Sequence, residues 1–184
     1  MLFRSQIPEW IRVLSNAGIQ SIAGKILPHN AGWPIGSTPG GYTWNDMGNY
    51  YGAGSDYINW RENQYDLVLK SGPVLGDSVT VVAAKPAPVG VRFVSTATAA
   101  EKGTGDQANI YLAPLSTEAL VQGTIPRGES AFVISGSIPD PPAQLVQELT
   151  TSFRQQGLAV QEQSFSSHNK LPLQPIAFHY SPAL

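Results

Sequence analysis

Tyr42-Thr-Trp-Asn-Asp-Met-Gly-Asn-Tyr-Tyr-Gly-Ala-Gly54 is a run dense in both aromatic residues and glycine. Glycine permits positive φ or close approach of the backbone to a neighbour. Each large aromatic side chain needs apolar contact area and a partner for its polar tip. The run therefore predicts an ordered, irregular connection and not a simple linker. The residues concerned are Trp44, Tyr50 and Tyr51 with Gly48, Gly52 and Gly54.

This run and the following Trp60-Arg-Glu-Asn-Gln-Tyr65 together resemble a segment of one bacterial enzyme family. The segment is Trp-x-Trp-x-Asp-x-Gly-Asn-Tyr-Tyr-Gly-Ala-Gly, followed by Asn-Gln-Tyr, of the D-alanyl-D-alanine carboxypeptidases/endopeptidases, the class C low-molecular-mass penicillin-binding proteins. The resemblance covers nearly the whole chain. Further matches follow in the family's order at 103–111, 123–126, 136–141 and 181–184.

In that family these segments belong to a long insertion between the first and second active-site motifs. The resemblance implies an accessory region whose partner is the catalytic penicillin-binding domain of the same parent chain. The parent cleaves the D-Ala-D-Ala bond or a peptide cross-link of peptidoglycan by serine acylation. The resemblance also implies a periplasmic or cell-envelope location. The insertion is expected to shape substrate access or to contact the peptidoglycan of the cell wall or a partner.

The family's catalytic motifs are Ser-x-x-Lys, Ser-x-Asn and Lys-Thr-Gly, and the chain has near-copies of all three. Ser167-His-Asn-Lys170 spells the first two at once, but Pro172 and Pro175 disfavour the helix that would place lysine one turn after serine. Lys102-Gly-Thr-Gly105 resembles the third motif with an intruding glycine. We interpret these matches as coincidences of short patterns, and no catalytic residue is predicted.

Other site patterns are equally incomplete. Gly103-Thr-Gly-Asp-Gln-Ala108 approaches a dinucleotide fingerprint, but an apolar strand follows it where a helix is needed, which favours a turn between two strands. His29, His168 and His179 are too widely spaced for a metal site. The carboxylates at positions 46, 56, 62 and 66 are expected to cap loops and solvate strand edges. No metal and no cofactor is predicted.

Composition sets further limits. The 184 residues are 42% hydrophobic and only 13% charged, against a typical charged fraction of about 25%. A net charge of −2 argues against nucleic-acid binding, and no apolar run is long enough to span a bilayer. The N-terminus lacks the pattern of a secretory signal, so only the resemblance points to the envelope. The chain contains no cysteine.

Both terminal segments show a helix, a glycine and a strand in that order. The first helix is predicted from Pro8 to Ala17, with the strand at 19–27. The second helix is predicted after Asp140, with an apolar stripe that includes Phe153, and its strand is predicted at 158–163. Because helical crossovers join parallel strands, the two strands are expected to run parallel in one α/β layer.

Between the terminal segments the apolar period changes to two. Tyr65 to Lys70 and Ser78 to Ala84 predict a hairpin, and further strands are predicted near 92–96, 108–112, 119–125 and 130–135. Exposed loops are expected at 85–90 and 163–175. The predicted fold is α/β (mixed α+β): residues 1–59 and 136–184 form a discontinuous α/β subdomain, into which a β-rich subdomain at 60–135 is inserted.

Trp44, Tyr50, Tyr51 and Trp60 are the candidate interaction residues. As a surface they would stack on peptidoglycan sugars or steer a peptide; otherwise they fill the boundary between the subdomains. We favour the boundary role because large aromatic side chains tend to be buried.

Two functional classes remain open at this point. The chain is either an accessory module of a serine peptidase or a self-sufficient hydrolase with a site that no motif reveals. The apolar end Phe178–Leu184 lacks a closing signal, which indicates a truncated piece of a longer protein.

Overall fold

The computed structural model describes residues 6–24, 26–29, 38–161 and 175–176. Its contacts divide the chain into two compact units. The first, which we call the helical unit, comprises Met1–Pro34, Tyr57–Arg61 and Pro141–Leu184. The second, the sheet unit, comprises Ile35–Asp56 and Glu62–Asp140. The subdomain boundaries taken from the sequence, at 59/60 and 135/136, stay a prediction.

The described residues form three α-helices and nine strands, and two short segments are 3₁₀ turns. The helices are α1 (Ile7–Asn16), α2 (Trp44–Met47) and α3 (Pro141–Gln155), and the 3₁₀ turns are Tyr50–Gly52 and Arg61–Asn63. The strands are β1 (Ser21–Ile22), β2 (Gln64–Lys70), β3 (Thr80–Lys85), β4 (Arg92–Ser95), β5 (Thr98–Ala100), β6 (Gln107–Tyr111), β7 (Glu118–Pro126), β8 (Phe132–Ser137) and β9 (Ala159–Val160).

The helical unit contains the two helix-then-strand segments that the sequence predicts. Strand β1 pairs with β9 in parallel, Ser21 opposite Ala159, which confirms the predicted direction. Both strands are shorter than predicted, with two residues each. The last two residues of the predicted second strand lie outside the described residues.

A small apolar core holds these segments together. Phe153, Leu158 and Val160 are its buried members. Helix α3 ends just before Gly157, as the sequence predicts, because Gly157 takes a φ of 83° that favours glycine. The partly buried residues packed on this core are Ile11, Leu14, Ile19, Ile22, Ile26 and Leu149.

The sheet unit contains a three-stranded antiparallel sheet in the order β3-β2-β8. In β2 the side chains of Tyr65, Leu67 and Leu69 are buried, and those of the residues between them are exposed or half-buried. The predicted hairpin of β2 and β3 is thus confirmed, with an irregularity in register between Val68 and Leu69.

The second sheet of this unit is built around the long strand β7. Strand β6 pairs antiparallel with β7 along one edge, while β4 and then β5 pair parallel with it along the other. Strand β5 was not predicted from the sequence. The mixed α and β composition agrees with the predicted fold class: the helix and strand segments come from the two ends, and the middle of the chain is rich in strands.

Candidate functional site

The run 42–54 begins with one turn of helix and continues into a 3₁₀ turn. At the start of α2, the backbone N–H and the hydroxyl of Thr43 both donate to Asp46 Oδ2, at 3.2 and 2.8 Å. The backbone bond belongs to a capping box between Thr43 and Asp46, which stabilises a helix start that would otherwise leave backbone donors unpaired. The predicted capping role of Asp46 is confirmed.

Asn49 ties the run to strand β6. Its side chain is 4% exposed, and its Oδ1 accepts the backbone N–H of Ile110 at 2.9 Å. The Asn49 amide also donates back to the carbonyl of Asn45, which fixes the turn between them. Buried amides must be paired to be tolerated, and Asn49 meets that condition from both ends.

Ser137 attaches the same run to strand β8. Its hydroxyl donates to the carbonyl of Met47 at 2.7 Å, and its backbone N–H donates to the carbonyl of Gly48 at 3.1 Å. The run is therefore an ordered connection seated on two strands, as the sequence predicts.

Two glycines of the run are required by close approach. A Cβ on Gly48 would lie 2.0 Å from the carbonyl oxygen of Ile110, and a Cβ on Gly52 would lie 1.9 Å from that of Asp46. Neither distance is compatible with a side chain, so only glycine lets the run pack this closely.

The aromatic side chains of the run lie at the surface of the sheet unit. Trp44, Tyr50 and Tyr51 are 51%, 52% and 52% exposed. Trp44 stands 6.0 Å from the ring of Tyr111, and Tyr50 meets Tyr51 edge to face at 5.2 Å. We call Trp44, Tyr50, Tyr51 and Tyr111 the aromatic face. Its exposure differs from the buried role that the sequence favoured for these side chains.

Trp60, the fourth aromatic candidate, belongs to the other unit. It is 1% exposed, and the guanidinium of Arg61 stands 5.5 Å from its ring centroid. The structure thus groups three of the four candidates on the sheet unit and places Trp60 among the buried residues.

A cleft of about 200 Å³ opens beside Tyr50 and Tyr51. We call it the tyrosine cleft. Its Tyr51 hydroxyl lies 3.4 Å from Asn109 Oδ1, a long contact. The remaining lining residues are mostly polar: Asn49, Asp106, Gln107, Ala108, Asn109, Ile134 and Ser135.

The electrostatic setting keeps Tyr51 neutral. Partial burial is the main cause that raises the pKa of the Tyr51 phenol, and the carboxylates of Asp46 and Asp106 add to it by disfavouring a phenolate. The hydroxyl is therefore available as a donor throughout the neutral pH range.

Asn49, Asn109 and Tyr111 are site residues that sequence reasoning missed. A signal for two of them exists, since Ala108 and Ile110 are buried while Asn109 and Tyr111 alternate with them on the other face of β6. Nothing local marks Asn49, because its bonding partner is 61 residues away in the chain.

Of the two segments that resemble catalytic or cofactor motifs, the structure describes one. Residues 102–105 form a turn between β5 and β6, with Gly103 and Gly105 at φ of 85° and 70°. A strand and not a helix follows, which confirms the predicted turn. Ser167, His168, Lys170 and His179 lie outside the described residues.

The described residues contain neither a cluster of metal ligands nor a membrane-spanning helix. Within 6–24, 26–29, 38–161 and 175–176, no three His, Cys, Asp or Glu side chains group as metal ligands. The same residues include no helix with the length and apolar character needed to cross a membrane.

The sequence matches the model of the D-Ala-D-Ala carboxypeptidase 3 (S13) family over residues 1–184. The chain therefore belongs to this family. No curated protein shows significant sequence similarity to it.

Among solved structures, the fold is similar to penicillin-binding protein 4 (dacB) from Haemophilus influenzae, with a TM-score of 0.65 and 17% identity over 90% of this chain. A second structure of that protein, in complex with a novel β-lactam, matches with a TM-score of 0.58 and 14% identity over 91% of this chain. This chain covers 37% and 34% of those two chains. It thus corresponds to about a third of the length of the structures it matches.

Proposed function

We propose that this chain is the non-catalytic accessory region of a peptidoglycan D-Ala-D-Ala carboxypeptidase/endopeptidase, inserted between the first and second catalytic motifs of the parent. The observation that carries the proposal is the family match over all 184 residues of a chain that covers only 37% of a similar penicillin-binding protein. We assign the catalytic domain to the remaining length of the proposed parent.

The incomplete set of catalytic motifs supports this assignment. Acylation needs a serine with a lysine one helical turn on, a second serine segment and a Lys-Thr-Gly strand. Here one tetrapeptide, Ser167–Lys170, spells both of the first two, and residues 102–105 form a turn. One serine cannot serve in two separate motifs.

The aromatic face gives the accessory region a surface with which to act. It lies beside one carboxylate and three side-chain amides of the tyrosine cleft, and on a connection anchored to two strands. We propose that this face contacts peptidoglycan in the periplasm or cell envelope, while the catalytic domain of the same parent chain cleaves the D-Ala-D-Ala bond.

Covalent labelling with a fluorescent penicillin tests the absence of a working nucleophile. We expect no labelled band from this chain under conditions in which a complete penicillin-binding protein is labelled, because acylation needs an activated serine. A labelled band that disappears in Ser167→Ala would contradict the proposal and favour the alternative, a self-sufficient hydrolase.

Binding of soluble muropeptides tests the contact with the cell wall. We expect muropeptides to shift the NMR signals of the aromatic face, with Tyr42→Ala as a control for an exposed tyrosine outside the tyrosine cleft. Absence of binding at millimolar muropeptide would contradict wall contact and leave only the role of a spacer beside the catalytic domain.

A further inference from the structure

The tyrosine cleft differs from the rest of the aromatic face in the chemistry of its walls. Two tyrosine rings, 5.2 Å apart and nearly perpendicular at 78°, form one side. Most of the other lining residues carry amide, carboxylate or hydroxyl groups, so aromatic rings and hydrogen-bonding residues line the same small space.

The size of the cleft limits the ligand. Sites for drug-sized ligands have volumes of roughly 300–1,000 Å³. At about 200 Å³ the cleft is smaller, and it accommodates one ring-sized group of a longer molecule.

The polar wall offers donors and acceptors side by side. Asn109 Oδ1 faces the Tyr51 hydroxyl at 3.4 Å, which leaves the Asn109 amide N–H groups to donate. Asp106 Oδ1 accepts the backbone N–H of Ala108 at 3.0 Å, and its second oxygen adds acceptor capacity. Ser135 donates to Asp66 at 3.2 Å, which orients the lone pairs of its hydroxyl away from that carboxylate.

This mixture discriminates between ligand classes. An ammonium group only donates, so it would leave the amide donors of Asn109 in the cleft unpaired. A sugar hydroxyl both donates and accepts, and an acetamido group does the same through its N–H and C=O. The C–H face of a sugar ring also suits tyrosine, because positively polarised hydrogens are attracted to the negative face of an aromatic ring.

We propose that the tyrosine cleft binds one acetamido sugar ring of a glycan strand. Tyr50 and Tyr51 contact the apolar face of the ring, and Asp106 and Asn109 pair with its hydroxyl and acetamido groups. This inference rests on the proposed contact with peptidoglycan and specifies that the glycan, and not the stem peptide, occupies the cleft.

The rigid seat of the cleft favours binding. Tyr50 and Tyr51 lie in the 3₁₀ turn directly after Asn49, whose buried amide is bonded to β6. Because the turn is fixed before the ligand arrives, little conformational entropy is lost on binding.

Three probes, titrated separately into the intact chain, test the inference: a peptide-free oligomer of N-acetylglucosamine, a peptide ending in D-Ala-D-Ala, and a muropeptide. We expect the oligosaccharide to bind and to shift the signals of Tyr50, Tyr51 and Asn109. We expect Tyr50→Ala and Asn109→Ala each to weaken its affinity by about tenfold or more, whereas Tyr42→Ala leaves it unchanged. Tyr50→Phe, which keeps the ring, should retain most of the affinity and guards against misfolding of the alanine variant.

The outcomes separate this inference from the proposed function. If the muropeptide and the peptide bind and the oligosaccharide does not, glycan recognition is overturned and the proposed wall contact stays in place. Binding of none of the three would overturn both. Equal oligosaccharide affinity in Tyr42→Ala, Tyr50→Ala and Asn109→Ala would place the glycan outside the cleft and overturn the inference.

Discussion

Tyr65 is a buried residue whose ring and hydroxyl have opposite effects on stability. Its side chain is 2% exposed, its ring packs edge to face on Phe93 at 5.9 Å, and a Cβ on Gly136 would lie 2.4 Å from it. Its hydroxyl is buried without a hydrogen-bond partner among the described residues. Burial raises the pKa of this phenol above its ordinary value of 10.0. The ring therefore stabilises the sheet unit, while the hydroxyl opposes that effect.

We predict that Tyr65→Phe leaves the free energy of unfolding at pH 7 unchanged or raises it by about 1 kcal/mol, because a buried unpaired hydroxyl is removed and the ring remains. Urea unfolding of both proteins measures this. A loss of more than about 1 kcal/mol would show that the hydroxyl is paired.

The same residue predicts a dependence on alkaline pH. Since the folded pKa of Tyr65 lies above the unfolded value, the folded state holds more protons above pH of about 10, and stability falls as the pH rises through that region. We expect Tyr65→Phe to show a smaller fall between pH 8 and pH of about 11 than the parent. Identical slopes in the two proteins would contradict the assignment.

At the scale of elements, the run 42–54 depends on bonds to strands that are distant in sequence. The short helix α2 has four residues, which is too few for a helix to be stable alone. The helix is stabilised instead by its capping box, by the Asn49 amide and by the Ser137 hydroxyl. The position of the aromatic face is thus a property of β6 and β8 as much as of the run.

We predict that Asn49→Ala lowers the free energy of unfolding by about 1–3 kcal/mol, because the buried N–H of Ile110 loses its acceptor. Hydrogen exchange should show faster exchange at Ile110, while an alanine at Asn45, which is exposed, changes stability by less than about 0.5 kcal/mol. Equal effects of the two substitutions would show that the Asn49 side chain does not hold the run in place.

At the scale of the whole molecule, the chain has two units that each contain buried apolar residues. The helical unit has Phe153, Leu158 and Val160, and the sheet unit has Leu67, Leu69, Ile110, Val121 and Ile125. The aromatic face and the tyrosine cleft lie entirely on the sheet unit. Substitutions at the aromatic face or the tyrosine cleft therefore replace no buried residue of the helical unit.

The proposed accessory role can be measured in a penicillin-binding protein that contains both this region and a catalytic domain. We predict that the double change Tyr50→Ala and Tyr51→Ala lowers kcat/KM on polymeric peptidoglycan by about tenfold and leaves acylation by penicillin unchanged, because penicillin does not need the aromatic face. An equal loss in both reactions would indicate a general structural defect, and no loss in either would contradict a role in substrate contact.

Helices α1 and α3 and most strands of this protein could be predicted from local sequence, whereas the short helix α2 lies in a run that was predicted only as an irregular connection. Asp140 and the two prolines after it indicate the start of α3, and the glycine after the helix indicates its end. The alternation at Tyr65, Leu67 and Leu69 indicates β2 and its buried face. The parallel pairing of β1 and β9 followed from the order of helix and strand. These features depend on the period of the apolar residues, which is readable over a few positions.

Strand β5, the exposure of Trp44, Tyr50 and Tyr51, and the tyrosine cleft were decided by the tertiary structure alone. Strand β5 is a strand because β7 pairs with it, and the cleft exists because Asn49, Asn109 and Ser135 come together from three separate segments. Large aromatic residues contain an apolar body and a polar tip, so their burial depends on what lies opposite them. The sequence determined which residues form the run, and the strands beneath it determined that its aromatic side chains face outward.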